Sequence, residues 1–272
     1  MYAAVDIGGT KTLIAVFDSS GSITEQVKFP TPPNYDDFIL EVANNVAELA
    51  TKDLQSVGVA APGKIDHKNG TMIAAGNLAW KNAPIQHDLT DVFNAPVIFE
   101  NDAKTAALAE AIAAGSKYST VVYITVSTGI GIGVCENQKL DRALEDAEVG
   151  WMSVEYKGQI LPWEKIASGS AIVKQYGKRA SEIDDKAIWD EISSKLALGL
   201  ISVIAIIQPD LIVFGGGVGS HLDKFKEPLV KHLKQYENPM VPIPPIIKSS
   251  HPEEAVVYGC YQLAKQFSEA NA

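Results

Sequence analysis

The sequence predicts an α/β chain built twice over on a βββαβαβα plan, and three observations carry that prediction. Short β-branched runs at 2–7 and 12–18, separated by Gly8 and Gly9, lead through a serine-glycine turn into a third run ending at Phe29. After Gly115 the order begins again, with strand-like runs at 120–126 and 130–135 around a second glycine turn. In both halves helical periodicity follows the strand runs and leads on to a further apolar strand.

In the first half Phe38, Val42, Val46 and Leu49 recur at helical spacing over 35–50, and 55–60 returns as a strand. A loop is expected from there to a strand at 96–99, which an alanine-rich helix at 103–114 follows. In the second half a loop-rich insertion separates 130–135 from helices at about 170–180 and 186–207. A strand at 211–214, a glycine run and an amphipathic helix at 221–236 come next. The proline-rich stretch 239–245 reads as a surface connection. A final helix at 253–267 is expected to pack back on the first half. The domains are accordingly placed at 1–114, with the C-terminal helix of about 253–272 added to it, and at 115–252.

The 272 residues are 46% hydrophobic and 21% charged, the balance of a globular protein with a sizeable core, which excludes disordered and collagen-like classes. With 23 basic and 33 acidic side chains the formal charge is -10, which disfavours nucleic acid and anionic membranes as partners. No apolar run reaches the roughly 20 residues a bilayer span needs. The first residues lead straight into a strand, with no basic-then-apolar leader. Cys135 and Cys260 lie far apart without CxxC spacing, so neither a disulfide framework nor a zinc cluster is expected, and a cytoplasmic setting is.

Glycines and carboxylates carry the chemistry. In Asp6-Ile7-Gly8-Gly9-Thr10-Lys11 a tight turn between strands offers bare amides to an anion, with Asp6 placed to hold hydrated magnesium and Thr10 and Lys11 to add a hydroxyl and a charge. A plain Gly-Gly hairpin is the alternative. Thr128, Gly129 and Gly131 form a counterpart turn in the second half. Gly215, Gly216 and Gly217, between a strand and a helix, suit close approach of a nucleoside or serve only as a turn. None of these has the GxGxxG spacing of a dinucleotide site. Gly58 to Lys64 matches a P-loop for seven positions, but Ile65 stands where the metal-binding hydroxyl belongs and Pro62 removes an amide. In Glu100-Asn101-Asp102-Ala103, Asp102 is either the base that takes a proton from an acceptor hydroxyl or the cap of the following helix.

Together with 57–63 (VGVAAPG), 127–133 (STGIGIG), 148–150 (EVG) and 212–217 (IVFGGG), these blocks resemble, in order and over nearly the whole chain, the ROK family of sugar kinases. The resemblance implies a two-lobed actin-like ATPase fold, with ATP and magnesium bound between the lobes and a hexose hydroxyl as phosphoryl acceptor. It implies that Asp102 is the catalytic aspartate and that Asn77, Asn101, Glu148 and Glu164 contact the sugar. The chain departs from the family at Trp151, which stands where a histidine usually touches sugar and zinc, and at 156–159, where the cysteine-rich zinc loop is missing. Zinc is therefore not expected. Trp151 either stacks on a sugar face or packs. The charged stretch 178–191 reads as a solvated helix face.

The expected activity is ATP-dependent phosphorylation of a hexose, with glucose foremost and mannose, fructose, N-acetylmannosamine or N-acetylglucosamine as alternatives. Polyphosphate is an alternative donor, because some zinc-free relatives use it. A sugar-responsive regulator is the main competing class, but its DNA-binding module would precede the first glycine turn, where Asp6 already stands. A binder that has lost turnover is the other. A homodimer is expected from the family.

Overall fold

The computed structural model describes residues 1–49, 53–251 and 254–271. Ala50 of the expected first helix, Glu253 and Ala272 of the expected C-terminal one, and the expected boundary at Pro252 lie outside the described residues. Among the described residues the chain separates into two compact units, Met1–Ala109 with Glu254–Ala272, and Glu110–Glu253.

The first unit opens with the antiparallel meander β1 (Tyr2–Ile7), β2 (Lys11–Phe17) and β3 (Ile23–Pro30). Helix α1 (Tyr35–Glu48), started by Asn34 accepting from Asp37 N, leads to β4 (Ser56–Ala61). The stretch expected as a loop instead forms β5 (Lys64–Asp66), β6 (Thr71–Ala75) and β7 (Leu78–Ala83), a three-stranded antiparallel sheet, followed by α2 (Ile85–Phe93). Its strands are short and half exposed, so their alternation is faint in sequence, yet Met72 and Trp80 are buried and Trp80 packs on Phe38. Strand β8 (Val97–Asn101) then runs directly into α3 (Asp102–Ala114), within which the chain passes into the second unit.

The sheet order is β3-β2-β1-β4-β8, with β1, β4 and β8 parallel. Central β1 is covered on both faces, the usual fate of a parallel strand. Ala3, Val5 and Ile7 join the core under α1 and α2, while Tyr2 and Ala4 pack with Val257, Cys260 and Tyr261 of the C-terminal helix. Asp6 shares that second face and is the one residue of β1 that is not fully buried.

The second unit repeats the plan. Strands β9 (Thr120–Val126), β10 (Ile130–Glu136) and β11 (Lys139–Leu140) form a meander. The expected loop-rich insertion contains the hairpin β12 (Ser153–Tyr156) and β13 (Gln159–Pro162), then α4 (Glu164–Ala167). Helix α5 (Gly169–Tyr176) precedes α6 (Lys186–Ile207), whose start at Asp185 and left-handed stop at Gln208 bound a face of Trp189, Ile192, Leu196, Leu200 and Val203. The stretch 178–191 is thus no single solvated helix: Trp189 is fully buried and α6 begins only at Lys186. Strand β14 (Leu211–Gly215), the short α7 (Gly216–Gly219), α8 (Leu222–Leu233) and β15 (Ile246–Lys248) complete the order β11-β10-β9-β14-β15. The last helix, α9 (Ala255–Ala270), packs on β1 and β4 of the first unit. Gly58 makes this possible, since a side chain there would strike the Cys260 carbonyl.

Candidate active site

In the first unit the β1–β2 turn is closed by Gly8 N donating to Lys11 O at 3.0 Å. Thr31 braces it from the end of β3: its hydroxyl donates to Gly8 O at 2.7 Å and its amide to Thr10 O at 3.1 Å. Gly9 lies under Asn77, whose Nδ2 would sit 2.5 Å from any Cβ there, so the expected sugar-contact asparagine and the expected phosphate turn are neighbours. Thr10 and Lys11 are exposed.

Asp6 and Asp102 are close enough to feel each other. Burial, then the negative charge of Asp102, pushes the Asp6 carboxyl up to about 7, with Lys28 opposing. Burial likewise raises Asp102, against the Ala103 amide and the Lys104 charge. Asp102 Oδ1 accepts from Ala103 N at 2.8 Å, which fixes the carboxylate at the first turn of α3. Most of the capping expected of Asp102 falls to Asn101: its Oδ1 accepts from Ala103 N at 2.9 Å and, more weakly, from Lys104 N at 3.4 Å. Asn101 Nδ2 donates to Gly63 O at 3.1 Å, so that side chain is largely committed to backbone. Beneath it buried Glu100 accepts from Asn101 N at 2.7 Å.

In the second unit a cavity of about 680 Å³ opens beside the β9–β10 turn, lined by Ser127, Thr128, Gly169, Ser170, Lys174, Arg179 and Gly217 among others. The turn is closed by Ser127 N donating to Gly129 O at 2.9 Å, and Gly169 N at the start of α5 donates to Ser127 O at 2.6 Å. Small residues at a helix start beside a glycine turn suit an anionic chain. The three consecutive glycines serve three purposes. Gly215 makes room for the Tyr123 ring, Gly216 adopts φ +77° against Thr125 and Val126, and only Gly217 faces open space in the cavity wall. Neither Gly129 nor Gly131 lines the cavity; Gly131 is a β10 residue paired with Thr125.

The expected acceptor contacts of the second unit also gather. Glu164 Oε2 lies against the bare faces of Gly129 and Gly150, so Glu164, the glycine turn and the Glu148–Trp151 segment meet. Glu148 is exposed, and Trp151 is 63% exposed with Lys165 Nζ 5.9 Å from its ring centre, so Trp151 is not a packing residue.

The carboxylates fit magnesium: an acid raised by burial and by the charge of a second acid is relieved by a divalent cation. Among the described residues no three His, Cys, Asp or Glu side chains gather as metal ligands, so water and phosphate oxygens would complete the shell. No helix of the described residues is long and apolar enough to cross a membrane.

Four site residues escape the sequence reading. Gly169 and Ser170 follow Ser168, which caps α5 by accepting from Ala171 N at 3.2 Å, and that cap followed by small residues was the available signal. Lys174 and Arg179 had none, because a lone cation in a helix, or one beside another charge, reads as solvent-facing.

The ROK family model matches residues 2–267. A Bacillus subtilis protein provisionally named fructokinase is 30% identical, over 80% of this chain and 77% of its own length. The solved structure of a ROK family glucokinase from Streptomyces griseus, in complex with glucose and AMPPNP, is 26% identical with a TM-score of 0.79, covering 97% of this chain and 99% of that one. An inorganic polyphosphate/ATP-glucomannokinase from Arthrobacter sp. strain KM is 30% identical with a TM-score of 0.72, covering 97% and 98%.

Proposed function

The chain belongs to the ROK family, has the two-lobed actin-like ATPase fold and is a sugar kinase; from that premise we propose that it transfers the γ-phosphoryl group of ATP to a hexose hydroxyl, with glucose the preferred acceptor. The observation that carries this reading is Asp102, an acid with raised proton affinity pinned at the β8–α3 junction beside Asp6. A carboxylate so held can orient a sugar hydroxyl and accept its proton as the oxygen bonds to phosphorus and the bond to the leaving phosphate breaks. Asp6 would hold magnesium through water, and that ion, when bound, would offset phosphate charge.

Thr128, Gly217 and the α5 N-terminus would line the nucleotide, with Lys174 and Arg179 countering its charge. Asn77, Glu148 and Glu164 would pair acceptor hydroxyls, each of which needs a partner once buried. Trp151, exposed beside Glu148 and Glu164, would offer a ring face to the sugar. Glucose is favoured because the Streptomyces griseus and Arthrobacter relatives are named for it or for glucose with mannose. The two cations of the donor cavity favour a second reading, in which polyphosphate also serves as donor.

A panel of hexoses and N-acetylhexosamines, each offered with magnesium and either ATP or polyphosphate, tests the assignment. The highest kcat/KM is expected for glucose with ATP. Failure to phosphorylate any sugar would reject the reading.

A further inference from the structure

Lys195, in the middle of α6, is a lysine whose side chain is only 2% exposed, far from the reacting acids of the first unit in sequence. Its Nζ donates to Gln175 Oε1 at 2.5 Å and to Tyr176 OH at 3.2 Å, and lies 3.0 Å from Glu191 Oε1. It also faces the rings of Tyr176 and Tyr156 at 5.2 and 5.6 Å. Glu191 closes the cluster by accepting from Gln175 Nε2 at 2.8 Å and, weakly, from Tyr156 OH at 3.4 Å. Burial pushes the Glu191 carboxyl up, but hydrogen bonds from Tyr176, Gln175 and Lys195 hold it down at about 2.

The same turn of α6 seats Trp163. Its Nε1 donates to the Lys195 carbonyl at 3.1 Å, and its ring lies flat on Gly199, where any side chain would collide with it. Trp163 is fully buried, and its amide donates to Met152 O at 2.8 Å. Trp163 immediately precedes Glu164, and Met152 immediately follows Trp151. The β12–β13 hairpin between them is held from Tyr156, at its tip, by the lysine cluster.

We infer that Lys195, paired with Glu191, is a positioning residue for acceptor binding. It ties the hairpin tip at Tyr156 to the helix turn that seats Trp163, and so holds Glu164 against Gly129 and Gly150 with Trp151 beside it. An ion pair whose lysine end is buried, as here, is a poor source of stability, since an apolar residue of similar volume often serves as well, whereas its fixed geometry specifies one arrangement of the parts it joins. The inference rests on the proposed reading that Glu148, Trp151 and Glu164 bind the sugar.

The test compares Lys195→Met, Lys195→Arg and Glu191→Gln with wild type by steady-state kinetics on glucose and by hydrogen exchange. Lys195→Met is expected to raise the glucose KM about tenfold, with kcat and the ATP KM within about twofold. Exchange should quicken at 153–164 while the sheet stays protected, Glu191→Gln should do the same, and Lys195→Arg should restore both. An unchanged glucose KM, or glucose and ATP KM values that rise together with a general loss of protection, would overturn the inference. Should Lys195→Met not fold, Glu191→Gln decides by the same criteria. Wild type failing on every sugar would sink the functional reading instead, and unchanged exchange at 153–164 would then overturn the positioning claim on its own.

Discussion

Asp6 and Thr125 stand at the same place in the two units. Each is next to last in the first strand of its sheet, between an antiparallel partner, Leu13 or Gly131, and a parallel one, Ala60 or Gly215. One unit puts a largely buried acid there, backed by Asp102 just past the end of β8; the other puts a hydroxyl against Gly216, near a cavity with Lys174 and Arg179 on its wall. The shared strand order supplies the positions, and on the proposed reading the residue types would divide the chemistry between a proton-accepting, metal-holding side and a side suited to a polyanion.

The sharpest way to break that division is Asp102→Asn, which should lower kcat by about 10² or more while glucose binding and melting temperature persist. Near-normal turnover would move the base elsewhere. The pH profile sharpens the same point. Burial raises the Asp102 pKa, so if its carboxylate is the base, kcat should be flat above that raised pKa and fall about tenfold per pH unit below it. A profile with no acidic limb would contradict the role.

Adjacent glycines of the second unit should separate packing from binding. Gly216→Ala forces a side chain into φ +77° against Thr125 Oγ1 and should lose about 1–3 kcal/mol in chemical denaturation. Gly217→Ala meets open space and should keep stability while weakening ATP binding. Removing the cavity cations by Lys174→Met with Arg179→Met should raise the ATP KM about tenfold with kcat within about threefold. An unaltered KM would show that they do not face the donor.

The smallest expected effect is on stability at Asp6. Its folded pKa of about 7 exceeds the ordinary 3.8, so the folded chain holds the proton more tightly than the unfolded one. That contribution is fully present below pH 3.8 and is lost as pH rises through 7. At pH 8 the unliganded protein carries an ionised buried acid, and Asp6→Asn should raise its melting temperature by about 2–5 °C. An equal or lower melting temperature there would mean that the acid is already compensated.

Much of the fold was legible in the sequence, where long patterned strands and glycine turns mark both halves. The β1–β2 and β9–β10 hairpins, α6 and the β8–α3 junction stand close to their expected limits for that reason. Strands β5, β6 and β7 were not legible, because buried residues such as Met72 and Trp80 are spaced among exposed polar ones with no long run. Asn101 shows a different limit: its residue type suits a sugar contact and a helix cap equally, and only the geometry of Ala103 N and Gly63 O commits it. Nor can a run of three glycines announce that one makes room for a ring, one needs a left-handed backbone and one borders a cavity.

The most direct measurement is AMPPNP affinity alongside kcat in the Asp102→Asn variant. If the first unit provides the base and the second grips the donor, the dissociation constant should stay within about threefold of wild type while kcat drops about 10²-fold. A variant that turns over normally, or one that loses AMPPNP binding in step with kcat, would contradict that division.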